Sequence, residues 1–431
     1  MRIIHIVAGS GGHFYCQNCC RDMGLLKALN AAGHDVMFMP LYLPSMELAG
    51  AEGVGQSPVF YGAVNVYLDQ KAPFYRRLPE SIRRWLDAPA VLKWAAGKAG
   101  TTQAKGLGPL TLSVLQGRNG RQLRELNEMV DWLRKQPRPD IIHVSTALLL
   151  GLVPAVKEAL NVPVVCTLQD EHTWLDGMRP KFRDRCWNEI RRLSSLVDLF
   201  LPVSNYYAAE VKERLNLPDE RCSVVPVGID AREFSCPSEP PSVPTIGFLS
   251  PFTSDCGLDT LAEAFFLLRR KGEPAGLRLR ITGGDIRNPT RFTKKLRKRI
   301  DASGHATAVE FVDAYRQPDR GAFLKTLSVL SVPSRRPEAF GLFQIEAMAC
   351  GVAVVQPRLG AYPEIIEATG GGVLFDENTP EGLADALGQL LSDREAAYAL
   401  GCAGRQAVME QYTLEHMAEN MTAAYRRLLP A

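Results

Sequence analysis

The feature that most constrains this chain is a repeated alternation in which a short apolar run and a turn are followed by apolar residues at helical spacing. Residues 2–8 (RIIHIVA) run into a GSGG loop, Leu25, Leu26 and Leu29 recur at helical spacing, and GHDVMFMP follows. The pattern returns at PDIIHVS, the apolar stretch from Ala147 to Leu160, VPVVCTL, VDLFLPVS, the helix-like Tyr206 to Leu215, and CSVVPVG. Parallel strands must be joined by long crossovers, usually helices, so strands alternating with helices predict a parallel sheet.

The second half repeats the alternation with TIGFLS, RLRITGG, AVEFVDA, LSVLSVPS and VAVVQP, and three helical segments close the chain. At 431 residues the chain exceeds what one hydrophobic core usually supports, so two cores are expected. The densest proline cluster, CPSEPPSVP at residues 236–244, sits just before TIGFLS and is the expected linker. The reading is therefore α/β, with two Rossmann-like doubly wound parallel-sheet domains facing across a cleft. Residues 1–235 form the first domain, with a helical insertion at about 60–135. Residues 245–412 form the second, and a helix over 413–431 returns to the first. Ligands of doubly wound sheets bind outside the carboxyl ends of the strands, which points to the cleft.

Composition excludes several classes. A formal charge of +3 with dispersed basic residues argues against nucleic acid as a partner. Ten cysteines scattered along the chain do not resemble a secreted disulfide framework, so a reducing cytoplasm is expected. MRIIHIVAG reads as a first strand, and no apolar stretch approaches the 18 or so residues needed to cross a bilayer, so any membrane contact is peripheral.

The segment PSRRPEAFGLFQIEAMACGVAVVQPRLGAYPEIIEATGGGVLF carries the chemistry. Glu338 lies in a loop after a strand, Gly341 permits a tight turn, and Glu346 falls about one turn into the following helix. Backbone amides from Phe340 through Gly341 and Leu342 to Phe343 would face whatever lies above the helix start, and an anion or a sugar hydroxyl suits them. A carboxylate accepts hydrogen bonds from a vicinal diol, so one glutamate can hold a hexose and the other a ribose.

Glu, seven residues, Glu, then AMACG, GAYPE and TGGG resembles the signature of family-4 glycosyltransferases. The first half is similar to the same family in block order: GG at residues 11 and 12, LLKALNAAGHDV, PDIIHVS, VVCTLQD and VVPVGID. The resemblance implies the GT-B fold, a nucleotide-diphosphate sugar donor on the second domain, a carbohydrate or glycolipid acceptor on the first, retention at the anomeric carbon, and no permanent cofactor or metal. It assigns the donor sugar to Glu338 with the amides of Phe340 to Leu342, the ribose to Glu346, and close approach to the diphosphate to Gly11 and Gly12. Gln169 stands where many members have a histidine near the sugar, and His13 and His143 are expected on the acceptor side.

The chain also departs from that pattern. Within GFLSPFTSDCGLDTL, Pro251 and Cys256 stand where members usually carry the Arg and Lys that neutralise the leaving diphosphate. Arg335, Arg336 and Arg358 are the nearest replacements in sequence. Cys16, Cys19 and Cys20 beside His13 lack a second cysteine pair at zinc spacing and read as a reduced thiol cluster at a helix start. Arg76, Arg77, Arg83, Arg84, Trp85, Lys93, Trp94 and Lys98 suit either an anionic membrane surface or a packed insertion, and the similarity of VNVYLDQKAPFY to glycogen and starch synthases favours the insertion. Three functions stand at this point: a retaining glycosyltransferase, an inert relative that binds without transferring, and an epimerase of the same fold.

Overall fold

The computed structural model describes residues 1–9, 14–42, 55–56, 58–61, 104–272, 274–284, 286 and 289–430. Gly11, Gly12, His13 and the basic and aromatic residues between 76 and 98, on which the membrane and insertion readings rest, lie outside them. The chain forms two compact units. One contains the described parts of Met1–His13, Asn18–Pro226 and Met417–Ala431, and the other contains Phe14–Gln17 and Val227–His416.

The first unit is built on six strands: β1 (Arg2–Val7), β2 (Asp35–Pro40), β3 (Gly55–Gln56), β4 (Ile141–Val144), β5 (Val164–Leu168) and β6 (Leu199–Pro202). They lie in the order β3-β2-β1-β4-β5-β6 and every pairing is parallel. β4, β5 and β6 are buried throughout because helices cover both faces, which is why they read as continuous apolar runs without alternation. Two described helices, Ala104–Leu115 and Leu123–Arg134, close the expected insertion. CSVVPVG, read as a strand, forms only an isolated bridge from Cys222 to Phe200. Its amides at Ser223 and Val225 bond to Phe200 and Pro202, and Pro226, having no N–H, ends the pairing.

The second unit repeats the plan with β7 (Thr245–Leu249), β8 (Arg278–Thr282), β9 (Val309–Phe311), β10 (Val329–Leu330), β11 (Ala353–Pro357) and β12 (Gly372–Phe375), ordered β12-β11-β10-β7-β8-β9 and all parallel. Counted within its unit, each sheet has the order third, second, first, fourth, fifth, sixth, the doubly wound arrangement whose switch point lies between first and fourth strands. Helix Leu258–Lys271 covers one face and stops at Gly272, whose φ of 78° lets its amide reach back to the Leu268 and Arg269 carbonyls.

The proline-rich segment 236–244, expected as a linker, is grouped with the second unit. The Tyr398 hydroxyl donates to the Pro237 carbonyl at 2.7 Å and Arg394 donates to that of Pro240 at 2.5 Å, so helix Arg394–Gln411 straps it down. The last helix is Leu414–Arg426, and its residues from Met417 onward belong to the first unit. No described helix is long and apolar enough to cross a membrane.

Candidate donor site in the second unit

β10 leads through Ser331 to Ser334 into the loop that carries Glu338. This loop is tied to the one after β7: the Arg335 amide and the Ser334 hydroxyl both donate to the Asp255 carbonyl, at 2.8 and 3.2 Å. The approach is so close that a Cβ on Gly257 would lie 1.9 Å from the Pro333 carbonyl oxygen. Below Glu338, the Ala361 amide donates to its carbonyl at 3.0 Å, and Gly360, with φ of 59°, leaves room for the turn. The Glu338 loop is thus held from two sides.

Helix Leu342–Ala349 begins after Gly341, whose φ of 84° and whose Cβ position, 2.7 Å from Gln344 Nε2 and 2.9 Å from the Tyr362 ring, exclude any side chain there. Phe340, Leu342 and Phe343 are buried. The amide of Leu342 does not stand open as expected, because Gln17 Oε1 accepts from it at 2.6 Å. Gln17 Nε2 in turn donates to Glu338 Oε2 at 2.9 Å. One carboxamide therefore bridges the carboxylate and the helix-start amide.

Glu346, 1% exposed, has both oxygens engaged. Oε1 pairs with Arg320 Nη2 at 2.9 Å, and Oε2 accepts from the Tyr15 hydroxyl at 2.9 Å. Burial pushes its carboxyl above the usual range while Arg320 and Tyr15 pull it back. Arg320 also lies over the Tyr15 ring, 5.4 Å from its centroid. Tyr15, Gln17 and Arg320 were not among the residues singled out by sequence. Tyr15 and Gln17 are hundreds of residues from their partners, and Arg320 lies in the first turn of an ordinary short helix, Asp319–Leu324, with no motif around it.

The three arginines proposed to replace the missing diphosphate cations each meet a carboxylate at the surface of the unit. Arg335 pairs with Asp259 at 3.0 Å and donates to Thr260 Oγ1 at 2.9 Å, Arg336 pairs with Asp255 at 3.2 Å, and Arg358 pairs with Asp376 at 3.0 Å and Glu367 at 3.4 Å. Each faces a carboxylate on its own rim of the unit. At Cys256, burial and then the nearby Glu338 carboxylate push the thiol up to about 11, so the group is neutral at pH 7.

In the first unit, Gln169 is 2% exposed and its oxygen accepts from Arg21 Nη1 at 2.8 Å. Arg21 also holds the Ser145 carbonyl and Asp22 Oδ1, at 2.8 and 2.7 Å. His143, expected on the acceptor side, is a core residue. It is fully buried in β4, stacks on His5 with ring centroids 4.4 Å apart, and spends its two ring nitrogens on Thr167 Oγ1 at 2.7 Å and the Tyr425 hydroxyl at 2.8 Å. A histidine in the middle of a central parallel strand is covered on both faces and cannot meet an acceptor. Cys16 precedes helix Gln17–Ala31, and Cys19 and Cys20 lie in its first turn, all three partly buried thiols.

The family described as "Glycosyl transferases group 1" matches residues 243–393, and "Glycosyltransferase Family 4" matches residues 101–233. A D-inositol 3-phosphate glycosyltransferase of Corynebacterium glutamicum is 30% identical over 292 residues, 62% of this chain and 68% of that protein. A GDP-mannose-dependent α-(1-6)-phosphatidylinositol monomannoside mannosyltransferase of Mycobacterium tuberculosis is 27% identical over 54% of this chain and 62% of its own length. The match to the D-inositol 3-phosphate glycosyltransferase of Corynebacterium urealyticum, 27% identical, spans 61% of that protein, so the chain covers about three fifths of the last two relatives. In fold, it is similar over 99% of both chains to the sucrose-phosphate synthase of Thermosynechococcus elongatus, with a TM-score of 0.72 at 18% identity. Alr3699/HepE of Anabaena, in a structure with UDP and glucose, gives 0.69 at 15%. The fold is GT-B.

Proposed function

From the premise that this chain belongs to the family-4 glycosyltransferases, we propose that it transfers a sugar from a nucleotide-diphosphate donor to a carbohydrate or glycolipid acceptor, with retention at the anomeric carbon. The observation that carries this reading is the convergence of the Glu338 carboxylate and the Leu342 amide on a single polar group, at 2.9 and 2.6 Å, with Glu346 further along the same helix. An acceptor-only group beside a donor-only group is what a sugar hydroxyl satisfies, since it both donates and accepts. On this reading Glu338 and the helix-start amide hold the hexose, Glu346 holds the ribose, and the donor's own phosphate takes the acceptor's proton. The nucleotides named for the relatives, GDP in the mycobacterial enzyme and UDP in the Anabaena structure, define the first panel.

Titration calorimetry with UDP, GDP, UDP-glucose and GDP-mannose tests it. Glu346→Ala should weaken the nucleotide and its sugar alike by roughly 1 to 3 kcal/mol, the range for a hydrogen-bonded charged group. Glu338→Gln should weaken only the nucleotide sugar. Unchanged affinities in variants that still unfold cooperatively would remove the two glutamates from these roles.

A second reading, an inert relative that binds but does not transfer, is favoured by one specific observation. Pro251 and Cys256 carry no charge, and Arg335, Arg336 and Arg358 are each paired with carboxylates. A diphosphate leaving group in a dry site needs compensating charge. Turnover absent in the natural protein with every donor, and created by the double change Pro251→Arg with Cys256→Lys, would establish the binding relative. Turnover in the natural protein would exclude it.

A further inference from the structure

Gln17 occupies the position on which the donor-site reading depends. Its carboxamide presents an N–H to Glu338 and an oxygen to the Leu342 amide, the two bonds required of a sugar hydroxyl. The placement is anchored two residues earlier. Tyr15 is 2% exposed, its hydroxyl donates to Glu346, its amide donates to the Gly283 carbonyl at 3.0 Å, and its ring lies against Arg320. Gln17 itself is only partly buried, whereas Tyr15 is packed.

We propose that Gln17 determines donor selectivity: its carboxamide holds the Glu338–Leu342 pair until a sugar hydroxyl making the same two bonds displaces it. This rests on the donor-site reading given above. A nucleotide without a sugar has no group to place between Glu338 and Leu342 and leaves Gln17 undisturbed. A nucleotide sugar must break one charge-assisted and one ordinary hydrogen bond before forming its own, so Gln17 lowers affinity for the sugar-bearing ligand alone. Only sugars that replace both bonds recover that cost.

The test is calorimetric titration of the natural protein, Gln17→Ala and Gln17→Met with UDP-glucose, GDP-mannose, UDP and GDP. Methionine keeps the length of glutamine without either hydrogen bond, which covers the case in which alanine disturbs the helix start. The nucleotide sugar that binds should bind about tenfold more tightly to both variants, the worth of one to two lost hydrogen bonds, while the bare nucleotide is unchanged. Where turnover is measurable, KM for the donor should fall with little change in kcat, whereas a merely structural Gln17 would raise KM. Unchanged or weaker binding of the nucleotide sugar, or equal shifts for nucleotide and nucleotide sugar, would overturn the inference. Glu338→Gln separates the two levels: if it weakens sugar binding while the Gln17 variants are neutral, only this inference falls. If Glu338→Gln is neutral, or no ligand binds any variant, the donor-site reading falls with it.

Discussion

The two sheets share a strand order, yet the buried histidine network of the first unit and the buried Arg320–Glu346 pair of the second lie in different regions. In the first unit polar side chains enter the strands themselves: His5 in β1 stacks on His143 in β4, His143 bonds to Thr167 in β5, and the last helix delivers Tyr425 to the same ring. In the second unit β7 and β11 are buried throughout, and the buried ion pair between Arg320 and Glu346 lies beyond the strand ends on two helices, with Glu338 in the loop before one of them. The first arrangement is a neutral network sealed inside the sheet, and the second is a charged one at the rim. Identical topology therefore does not dictate where polar chemistry goes. A polar group within a covered strand is committed to structure, while ligands of doubly wound sheets bind past the carboxyl ends of the strands.

The largest expected effect comes from breaking the charged arrangement. Arg320→Met would leave the Glu346 carboxylate buried beside only the Tyr15 hydroxyl and should cost about 3 to 5 kcal/mol in urea unfolding, as removal of one partner of a buried pair does. Adding Glu346→Gln to that variant should restore most of the loss. A cost below about 1 kcal/mol for the single change, or no recovery in the double, would show that the second unit does not depend on this pair.

The neutral network should respond to pH instead. Burial, the largest cause, and the nearby Arg21 lower the His5 pKa to about 4 against a smaller opposing pull from Asp22, and His143 is lowered well below its ordinary value by burial and by His5. The folded protein keeps His5 neutral down to about 4, while the unfolded chain takes up a proton near 6.5. Stability from this source is thus complete above pH 6.5 and lost as pH falls through that window, by roughly 3 kcal/mol for His5 alone. Denaturant unfolding from pH 7 to 5 should show the decline, and His5→Phe should flatten much of it. A natural protein equally stable across that range would contradict a sealed neutral pair.

The same contrast explains what the sequence disclosed. The central strands of both sheets were legible because covered parallel strands are continuous apolar runs, and Glu338, Gly341 and Glu346 were legible because a loop, a turn glycine and a helix start keep fixed spacing in one segment. The placement of Phe14–Gln17 with the second unit was not, since bonds from Tyr15 to Glu346 and from Gln17 to Glu338 span more than 300 residues and leave no periodicity. His143 was misjudged for a related reason: PDIIHVS shows a histidine beside apolar residues but not the stacking, hydroxyls and helix that satisfy it inside the core. A loop sequence also does not show the aspartates that Arg335 and Arg336 meet.

The smallest expected effect sharpens the comparison at a single atom in each unit. Tyr425→Phe removes the hydroxyl from His143 Nδ1 and leaves the ring bonded only to Thr167. Because the imidazole is neutral, it can adopt the tautomer that puts its lone pair, not its proton, at the vacated position, so the cost should be roughly 1 kcal/mol. Tyr15→Phe removes the corresponding hydroxyl from Glu346, where the acceptor is a buried carboxylate with no alternative tautomer. Its cost should be about twice as large, since hydrogen bonds to charged groups contribute more. The two variants delete the same atom from the same residue type at similar burial, so their difference isolates the charge of the acceptor. Equal costs in unfolding experiments at pH 7 would mean that Glu346 is protonated in the folded protein, and the distinction between the neutral histidine network and the charged Arg320–Glu346 pair would fail at that residue.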